Sequence, residues 1–408
     1  MERLSTQMQT AYAELLEQLV ALEAHRAIGH SGGTFVQKNV KGQEYYYYQH
    51  ALPGGIVQAY VGRRSPALDR VVRRFEEGRA IAIAERAHTT RLCAALRSGG
   101  ALAIDAASAR VLAALADAAV FRLGGVLVGT QAFIAIGNLL GVRWSGGGMR
   151  TDDIDIAGDR ALAVAVPNLT ADVPKILDSL EMGFFPVPGF SPQHPSTSFK
   201  VRGKPLRVDL LTPQHGRRTN PVPISRFRAA ADPLPDLGYL IEDPQPAALV
   251  AGAGVLVNVP PPARFALHKL LVARARPATQ QAKSNKDLEQ AAQLIEVLGE
   301  DRPGDLALAW EARGPQRSSR AMRSGLQALE RRHPAVYQAL QRELPRRASL
   351  RRPRPARGHP TVETDVDRCR RPVTPRCASG EGPPREGEPM DLDLTDTERM
   401  LRDTFRAS

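Results

Sequence analysis

The stretch Thr151-Asp152-Asp153-Ile154-Asp155-Ile156-Ala157 decides the fold and the chemistry expected of this chain. In an extended strand, residues two apart point to the same face, so Asp153 and Asp155 project together while the two isoleucines point into the core. Two carboxylates about 5–7 Å apart repel each other unless a cation lies between them. Oxygen ligands favour Mg²⁺ or Mn²⁺. Asp152 falls on the opposite face, where a turn or capping role is expected.

A strand-to-helix turn precedes this pair of acids. Leu127 and Val128 end a short apolar run, and a helical pattern from Gln131 to Leu140 follows. Between them, Gly129 permits close approach of the backbone, and Thr130 carries a hydroxyl that is able to cap the helix. A helix N-terminus offers free N–H groups to an anion, so this turn is a candidate triphosphate site. Taken alone the pattern is weak, because many such turns bind nothing.

A third acid lies in the apolar run Leu206-Arg207-Val208-Asp209-Leu210-Leu211. This run follows Ser198-Phe199-Lys200-Val201 across a short turn, so the two segments are predicted to form a hairpin. Burying a lone carboxylate is costly unless it is paired or ligates a metal. Asp209 beside the first two acids would allow two ions to bind, one activating an attacking hydroxyl and one holding a triphosphate.

Together these features resemble the polymerase β nucleotidyltransferase superfamily, in which a glycine turn opens a helix, Asp-x-Asp follows on a strand and a single Asp lies on a later strand. The resemblance implies an α+β fold with a mixed sheet and helices, an NTP substrate and a two-ion Mg²⁺ or Mn²⁺ site at Asp153, Asp155 and Asp209. Two departures stand out: Thr130 replaces the usual serine, and residues 141–150 lengthen the connection to the acids.

A narrower resemblance, over roughly residues 105–300, is to a little-studied bacterial family of nucleotidyltransferase-fold proteins. It is carried by Leu127-Val128-Gly129-Thr130-Gln131-Ala132-Phe133, by Thr151-Asp152-Asp153-Ile154-Asp155 and by Val259-Pro260-Pro261-Pro262-Ala263-Arg264-Phe265-Ala266-Leu267-His268-Lys269-Leu270. It implies the fold and the metal site but identifies no substrate.

Lys269, in the last of these blocks, and Arg150 are the remaining candidates for binding phosphate. In related nucleotidyltransferases a helical domain after the core supplies Lys or Arg to the triphosphate, which makes Lys269 a candidate; the alternative is a surface-facing lysine. His268 is expected to be structural, and Lys286-Asp287 an ordinary surface pair. Arg150 ends the Gly-rich, basic segment 141–150, which is either a phosphate-binding loop or a flexible connector.

Pattern and composition divide the chain into four predicted segments. Residues 1–104 form an N-terminal helix, a three-stranded β-meander and further helices; 105–225 form the nucleotidyltransferase core; 226–344 form a strand-containing linker and a C-terminal helical domain; 345–408 form an Arg/Pro-rich, mostly disordered tail. The meander carries Tyr45 to Tyr48 among Lys38, Lys41 and Arg63. These tyrosines either stack on nucleic-acid bases, or alternate between packing on a helix and facing water.

Charge and composition indicate which partners and which cellular compartment to expect. A formal charge of +12 and a pI near 10.0 favour polyanionic partners, through the tail and the meander in particular. The cysteines Cys93, Cys369 and Cys377 form no metal or disulfide pattern, which is typical of a reducing cytoplasm. Neither a secretory signal nor a membrane-spanning stretch is evident, so a soluble cytoplasmic protein is expected.

The predicted function is metal-dependent transfer of a nucleoside monophosphate from an NTP to a hydroxyl of RNA (tRNA included), of a protein or of a small molecule, with release of pyrophosphate. One alternative is a catalytically silent protein that binds nucleotide or nucleic acid on the same fold. Another is a metal-dependent glycosyltransferase, because Asp-x-Asp also occurs in enzymes that bind nucleotide sugars.

Overall fold

The computed structural model describes residues 1–27, 33–52, 55–146, 149, 151–159, 170–188, 195–217, 219–314 and 319–344. The tail 345–408, which was predicted to be mostly disordered, lies outside the described residues. Arg150 lies outside them as well, together with Gly147 and Gly148.

The strands are β1 (Glu2–Arg3), β2 (Thr34–Val40), β3 (Gln43–Leu52), β4 (Gly55–Arg63), β5 (Val126–Val128), β6 (Val142–Arg143), β7 (Asp153–Ala157), β8 (Phe184–Pro186), β9 (Ser198–Val201), β10 (Arg207–Pro213), β11 (Val222–Ile224), β12 (Ala229–Leu234), β13 (Gln245–Leu249) and β14 (Val255–Val259). The helices are α1 (Thr6–Ala27), α2 (Pro66–Ser98), α3 (Ala106–Asp117), α4 (Gly129–Leu139), α5 (Val173–Ser179), α6 (Leu237–Ile241), α7 (Pro262–Ala275), α8 (Gln281–Asp301), α9 (Asp305–Ala312), α10 (Arg320–Arg332) and α11 (Pro334–Glu343).

The described residues group into two compact units. The larger unit contains described residues within 1–34, 50–57 and 72–344, and the smaller contains 35–49 and 58–71. The predicted domain boundaries at residues 104 and 225 stay predictions. β12 begins beyond residue 225 and still pairs with β10 in the central sheet.

A mixed sheet forms the centre of the larger unit, with strand order β11-β12-β10-β7-β5 and with β8 joined through β9 to β10. β10 runs parallel to β7 and β12 and antiparallel to β9, while β5 runs antiparallel to β7. The predicted hairpin of β9 and β10 is therefore present. Ile154 and Ile156 are buried, as the strand alternation predicts. The α+β class with a mixed sheet is confirmed.

The core of the larger unit continues from the sheet into α3, α4 and the helices that follow β14. Trp144 shows how tightly the connection after α4 is held. Its indole stacks on Phe133 at a centroid distance of 4.5 Å and donates from Nε1 to the Phe133 carbonyl at 2.7 Å. Ser145 then donates its backbone N–H to Gln293. Residues 142–145 are thus anchored, and the flexible-connector interpretation is wrong for them.

A second apolar cluster packs α1 and the end of α2 against β13. Tyr12 fixes this contact, because its hydroxyl donates to the Ala248 carbonyl and accepts from the Ala248 N–H at 3.2 and 3.0 Å. Burial raises the pKa of Tyr12, so its proton stays in place for both bonds. Within the part of the chain that the structure describes, no helix is long and apolar enough to cross a membrane.

The smaller unit is the predicted meander, a sheet of order β2-β3-β4. Tyr46 donates its hydroxyl to Asp69 in the first turn of α2 at 2.8 Å, and Arg64 joins Asp69 to Glu44. Tyr46 and Tyr48 are buried while Tyr45 and Tyr47 are partly exposed, which is the alternation that the sequence suggested.

Helices α7, α8 and α10 pack closely beside one another, and Gly325 in α10 allows this. A Cβ atom at Gly325 would lie 2.5 Å from the backbone oxygen of Leu270 in α7. A side chain there would push the two helices apart, because backbone cannot move aside as a flexible side chain does.

We expect Gly325→Ala to lower the free energy of unfolding by about 1–3 kcal/mol, as overpacking of a helix contact does. Gly299→Ala in α8 is the matched control, because its Cβ meets only the flexible Glu343 carboxylate at 3.0 Å. Urea unfolding of both variants checks this. Equal stability of Gly325→Ala and the wild-type chain would contradict the close helix approach.

Candidate functional site

The three predicted aspartates lie on two adjacent strands of the central sheet. β7 and β10 pair in parallel register, with Asp153 opposite Arg207 and Asp155 opposite Asp209. Because positions two apart on a strand share a face, these four side chains form a square on one face of the sheet. The structure thus brings Asp153, Asp155 and Asp209 together, as predicted.

Gly129 packs directly against one corner of this square, the Asp155 carboxylate. Val128 pairs with Asp155 across β5 and β7, so the chain turns into α4 immediately beside that carboxylate. Gly129 has φ +68, and a Cβ there would lie 2.1 Å from Asp155 Oδ2. Both the backbone conformation and the space therefore require glycine. The close approach predicted for Gly129 is present, and its neighbour is a carboxylate.

The structure corrects the prediction for Thr130. Helix α4 begins at Gly129, with Val128 at the N-cap position and no side chain capping the helix. Thr130 is the second residue of the helix and is buried, so the expected capping role is wrong. The helix therefore starts two residues before the predicted Gln131, and the positive φ of Gly129 makes the turn from β5 into it.

The protein environment opposes ionisation of Asp155. Loss of solvation is the largest cause, followed by repulsion from Asp209 and then Asp153, and together they raise the pKa of Asp155 to about 7. Lys269 and Arg207 act in the opposite direction but are outweighed. A carboxylate in this setting gains from any cation that approaches it.

Asp209 is held by neighbours on its own hairpin. Its Oδ1 accepts a bond from the Ser198 hydroxyl and one from Arg207 Nε at 2.6 Å, and Arg207 also donates to Ser198 Oγ at 2.8 Å. Among the described residues, no group of three or more His, Cys, Asp or Glu side chains is arranged to enclose a metal ion. Asp209 Oδ1 is thus engaged within its own hairpin, although the carboxylate lies near enough to Asp155 to repel it.

A buried ion-pair group lies on the helices that flank the square. Lys269 in α7 donates to Asp287 Oδ1 at 2.8 Å, and Arg276 donates to Asp287 Oδ2 at 2.6 Å. Lys269 is 7% exposed and lies over the Phe265 ring at 5.2 Å. Burial raises the pKa of Asp287, but the charge and hydrogen bond of Lys269, and then Arg276, outweigh it and hold the pKa below its usual range. The surface-facing alternative for Lys269 is wrong.

Two further lysines of α8 lie near the acids. Lys283 Nζ is 4.0 Å from Asp153 Oδ2, and its side chain is 63% exposed. The pKa of Lys286 is lowered, first by loss of solvation and then by repulsion from Lys269. Because Asp287 bonds to Lys269 and Arg276, the expected surface pair of Lys286 and Asp287 is wrong. Loss of solvation and then Lys269 lower the pKa of His268 to about 4, so this histidine is neutral at pH 7.

Sequence reasoning missed Arg207, Lys283 and Asp287 as parts of this site. Arg207 had a usable signal, since it lies two residues before Asp209 and so shares its strand face. The other two had none, because only the packing of α7 against α8 brings them to the sheet. A cavity of about 1180 Å³, lined mainly by apolar side chains of α1, α2 and α3, contains none of these residues.

The fold and this charged face define a class of protein that a family comparison identifies. A family model described as Nucleotidyltransferase matches residues 106–313, just over half of the 408 residues. The chain belongs to this nucleotidyltransferase family, whose enzymes transfer nucleoside monophosphate groups. The match begins at α3 and ends just after α9, so it includes the acid square and the lysines of α7 and α8. Searches of curated proteins and of solved structures found no match.

The raised pKa of Asp155 gives a testable dependence of stability on pH. In metal-free buffer the unfolded carboxyl ionises near pH 4 and the folded one near pH 7, so the wild-type chain loses stability as the pH rises between these values. At pH 8 we expect the free energy of unfolding of Asp155→Asn to exceed that of wild type by about 2–4 kcal/mol. This difference should vanish towards pH 4.

Chemical denaturation at pH 4, 6 and 8 with EDTA measures this difference. Asp152→Asn is the matched control, because Asp152 is exposed and should show no such trend. If Asp155→Asn were no more stable than wild type at pH 8, ionisation of Asp155 would not destabilise the folded chain, which would contradict the raised pKa.

Proposed function

We propose that this chain is an active, metal-dependent nucleotidyltransferase of the polymerase β type, which moves a nucleoside monophosphate from an NTP to a hydroxyl acceptor. The observation that carries the proposal is the register of β7 against β10, which sets three aspartates on one sheet face beside the glycine turn of α4. Membership of the nucleotidyltransferase family supports the reaction type.

The residues fit a hard divalent cation. Asp153 and Asp155 offer only oxygen ligands, and loss of solvation with repulsion from Asp209 and Asp153 raises the pKa of Asp155 to about 7, so a nearby cation would favour its ionised form. We propose that these two aspartates hold Mg²⁺ or Mn²⁺ with Asp209 beside them; the second ion expected from the resemblance is part of this proposal. Such an ion would bind triphosphate oxygens and offset the charge that develops on the leaving pyrophosphate.

The protein side chains perform the remaining steps. The acceptor hydroxyl oxygen forms a bond to the α-phosphorus, the bond from that phosphorus to the bridging oxygen of the β-phosphate breaks, and pyrophosphate leaves with the electron pair. Asp209 is the proposed acceptor of the hydroxyl proton, and Arg207 and Ser198 orient its carboxylate. Arg207 is therefore a positioning residue.

The lysines of α7 and α8 supply the charge that a triphosphate needs. Lys269, Lys283 and Lys286 all interact electrostatically with the acids of the square or with one another. We propose that the helix N-terminus at Gly129 and Thr130, together with these lysines, binds the phosphates. Arg150, outside the described residues, stays a candidate for the same role. The acceptor is an RNA, protein or small-molecule hydroxyl.

The first test is transfer of label from each of the four α-labelled NTPs to total RNA, to total protein and to a small-molecule extract, with Mg²⁺ or Mn²⁺. We expect incorporation by the wild-type chain and by Asp152→Asn, and a loss of about 100-fold or more in Asp153→Asn and Asp155→Asn, because these changes remove charge at the reacting phosphate. If all four chains incorporated label equally, or none did so from any NTP, the proposal would fail.

The second test separates phosphate binding from folding, and Lys283 suits it because its side chain is exposed. We expect Lys283→Ala to raise the KM for NTP by about tenfold with a smaller change in kcat, as loss of a charge-assisted contact does. Its thermal stability should match wild type. Lys269 is a poorer probe, because its removal leaves Asp287 buried with one partner fewer.

Lys175→Ala on α5 is the charge-matched control, since Lys175 is exposed and lies outside the lysine group. Equal KM values for Lys283→Ala and Lys175→Ala would remove Lys283 from the phosphate site.

A further inference from the structure

One face of the three-stranded sheet β2-β3-β4 contains no residue of the acid square and carries an aromatic group. Tyr46 and Tyr48 turn to the opposite face, where Phe35 packs edge-on against both rings at 6.5 and 5.3 Å. Because side chains alternate along a strand, Tyr45 and Tyr47 share the other face. The tyrosines of β3 thus form two pairs: Tyr46 and Tyr48 pack in the core of the unit, and Tyr45 and Tyr47 are partly exposed on the other face.

Tyr60 on β4 completes this second set. Its ring lies 6.0 Å from that of Tyr45 and 5.6 Å from that of Tyr47, in tilted and edge-on arrangements. The residue is 52% exposed, and Tyr45 and Tyr47 are each partly exposed. Three neighbouring rings are therefore held in fixed mutual positions on a sheet face that solvent reaches. We call Tyr45, Tyr47 and Tyr60 the tyrosine face.

Polar groups that suit a phosphate-bearing ligand border the tyrosine face. Lys38 places its amine 5.0 Å from the centre of the Tyr47 ring and donates to Gln58, which in turn donates to Gln49 at 2.7 Å. The turns and ends of the same strands carry exposed Lys41 and Arg63. Glu44, the acidic residue of these strands, is paired with Arg64 at 2.7 Å. The net charge of the strands is therefore positive.

We propose that the tyrosine face binds single-stranded nucleic acid. Every nucleobase has a flat face able to stack on an aromatic ring, and cations beside the rings follow the phosphate backbone. The positive charge of the strands complements that backbone. A duplex fits the face poorly, because its base faces are already stacked inside the helix. The inference stands independently of nucleotide transfer, since it involves no residue of the acid square.

Fluorescence anisotropy with the full chain tests the proposal, using labelled 12-nucleotide RNA and DNA of mixed sequence and the same sequences as duplexes. We expect Tyr60→Ser and Tyr47→Ser each to weaken single-strand binding by about tenfold. Tyr60→Phe and Tyr47→Phe should stay within about twofold of wild type, because the stacking ring remains. Thermal unfolding of each variant verifies that the sheet persists, and Tyr60→Ser is the cleaner probe because its ring is the most exposed of the three.

Two results would overturn the proposal. One is single-strand binding that is equal in the serine, phenylalanine and wild-type chains, which would assign the attraction to charge alone, including the Arg-rich segment beyond residue 345. The other is an absence of single-strand binding by the wild-type chain at about 50 mM salt. Parallel RNA and DNA arms then decide which sugar the face prefers.

Discussion

The close contact of Gly129 with the Asp155 carboxylate is the constraint on which the site depends. The strand β5 must end, turn through a positive φ and begin α4 within the space left beside that carboxylate, and only glycine satisfies both conditions. The same geometry directs the first turn of α4 towards the acids of β7. Because Gly129 has no side chain, the N-terminus of α4 lies directly beside the Asp155 carboxylate.

Charges of both signs lie close together in this site. On the sheet, Asp153, Asp155 and Asp209 lie with Arg207 among them, and loss of solvation, followed by repulsion from Asp209 and Asp153, raises the pKa of Asp155 to about 7. On the helices, a buried carboxylate, Asp287, positions Lys269 and Arg276. Breaking such a buried group is costly, because the remaining charges lose their partners. A metal-bound triphosphate would satisfy the acids through its cation and the lysines through its phosphates.

Much of the sheet and its acids could be predicted from local pattern. Alternation in β7 placed Asp153 and Asp155 on one face, and the turn before Arg207 indicated the hairpin that carries Asp209. The failures concern contacts between distant segments. Lys269 could be interpreted as a phosphate ligand or as a surface lysine, because helical periodicity does not show that it pairs with the buried Asp287. Asp287 looked like a surface residue because its sequence neighbours do not show its partners. These are Lys269 in α7 and Arg276, which directly follows α7. Thr130 failed as a cap because the glycine before it already begins the helix.

The most direct measurement is the fate of each phosphorus of the NTP, followed with α-labelled and γ-labelled nucleotide in parallel reactions. Nucleotidyl transfer retains the α-phosphorus in the acceptor and releases the γ-phosphorus in pyrophosphate. We expect acceptor label from the α-labelled NTP alone, with labelled pyrophosphate from the γ-labelled NTP. Acceptor label from the γ position, or hydrolysis to inorganic phosphate without acceptor label, would contradict nucleotidyl transfer.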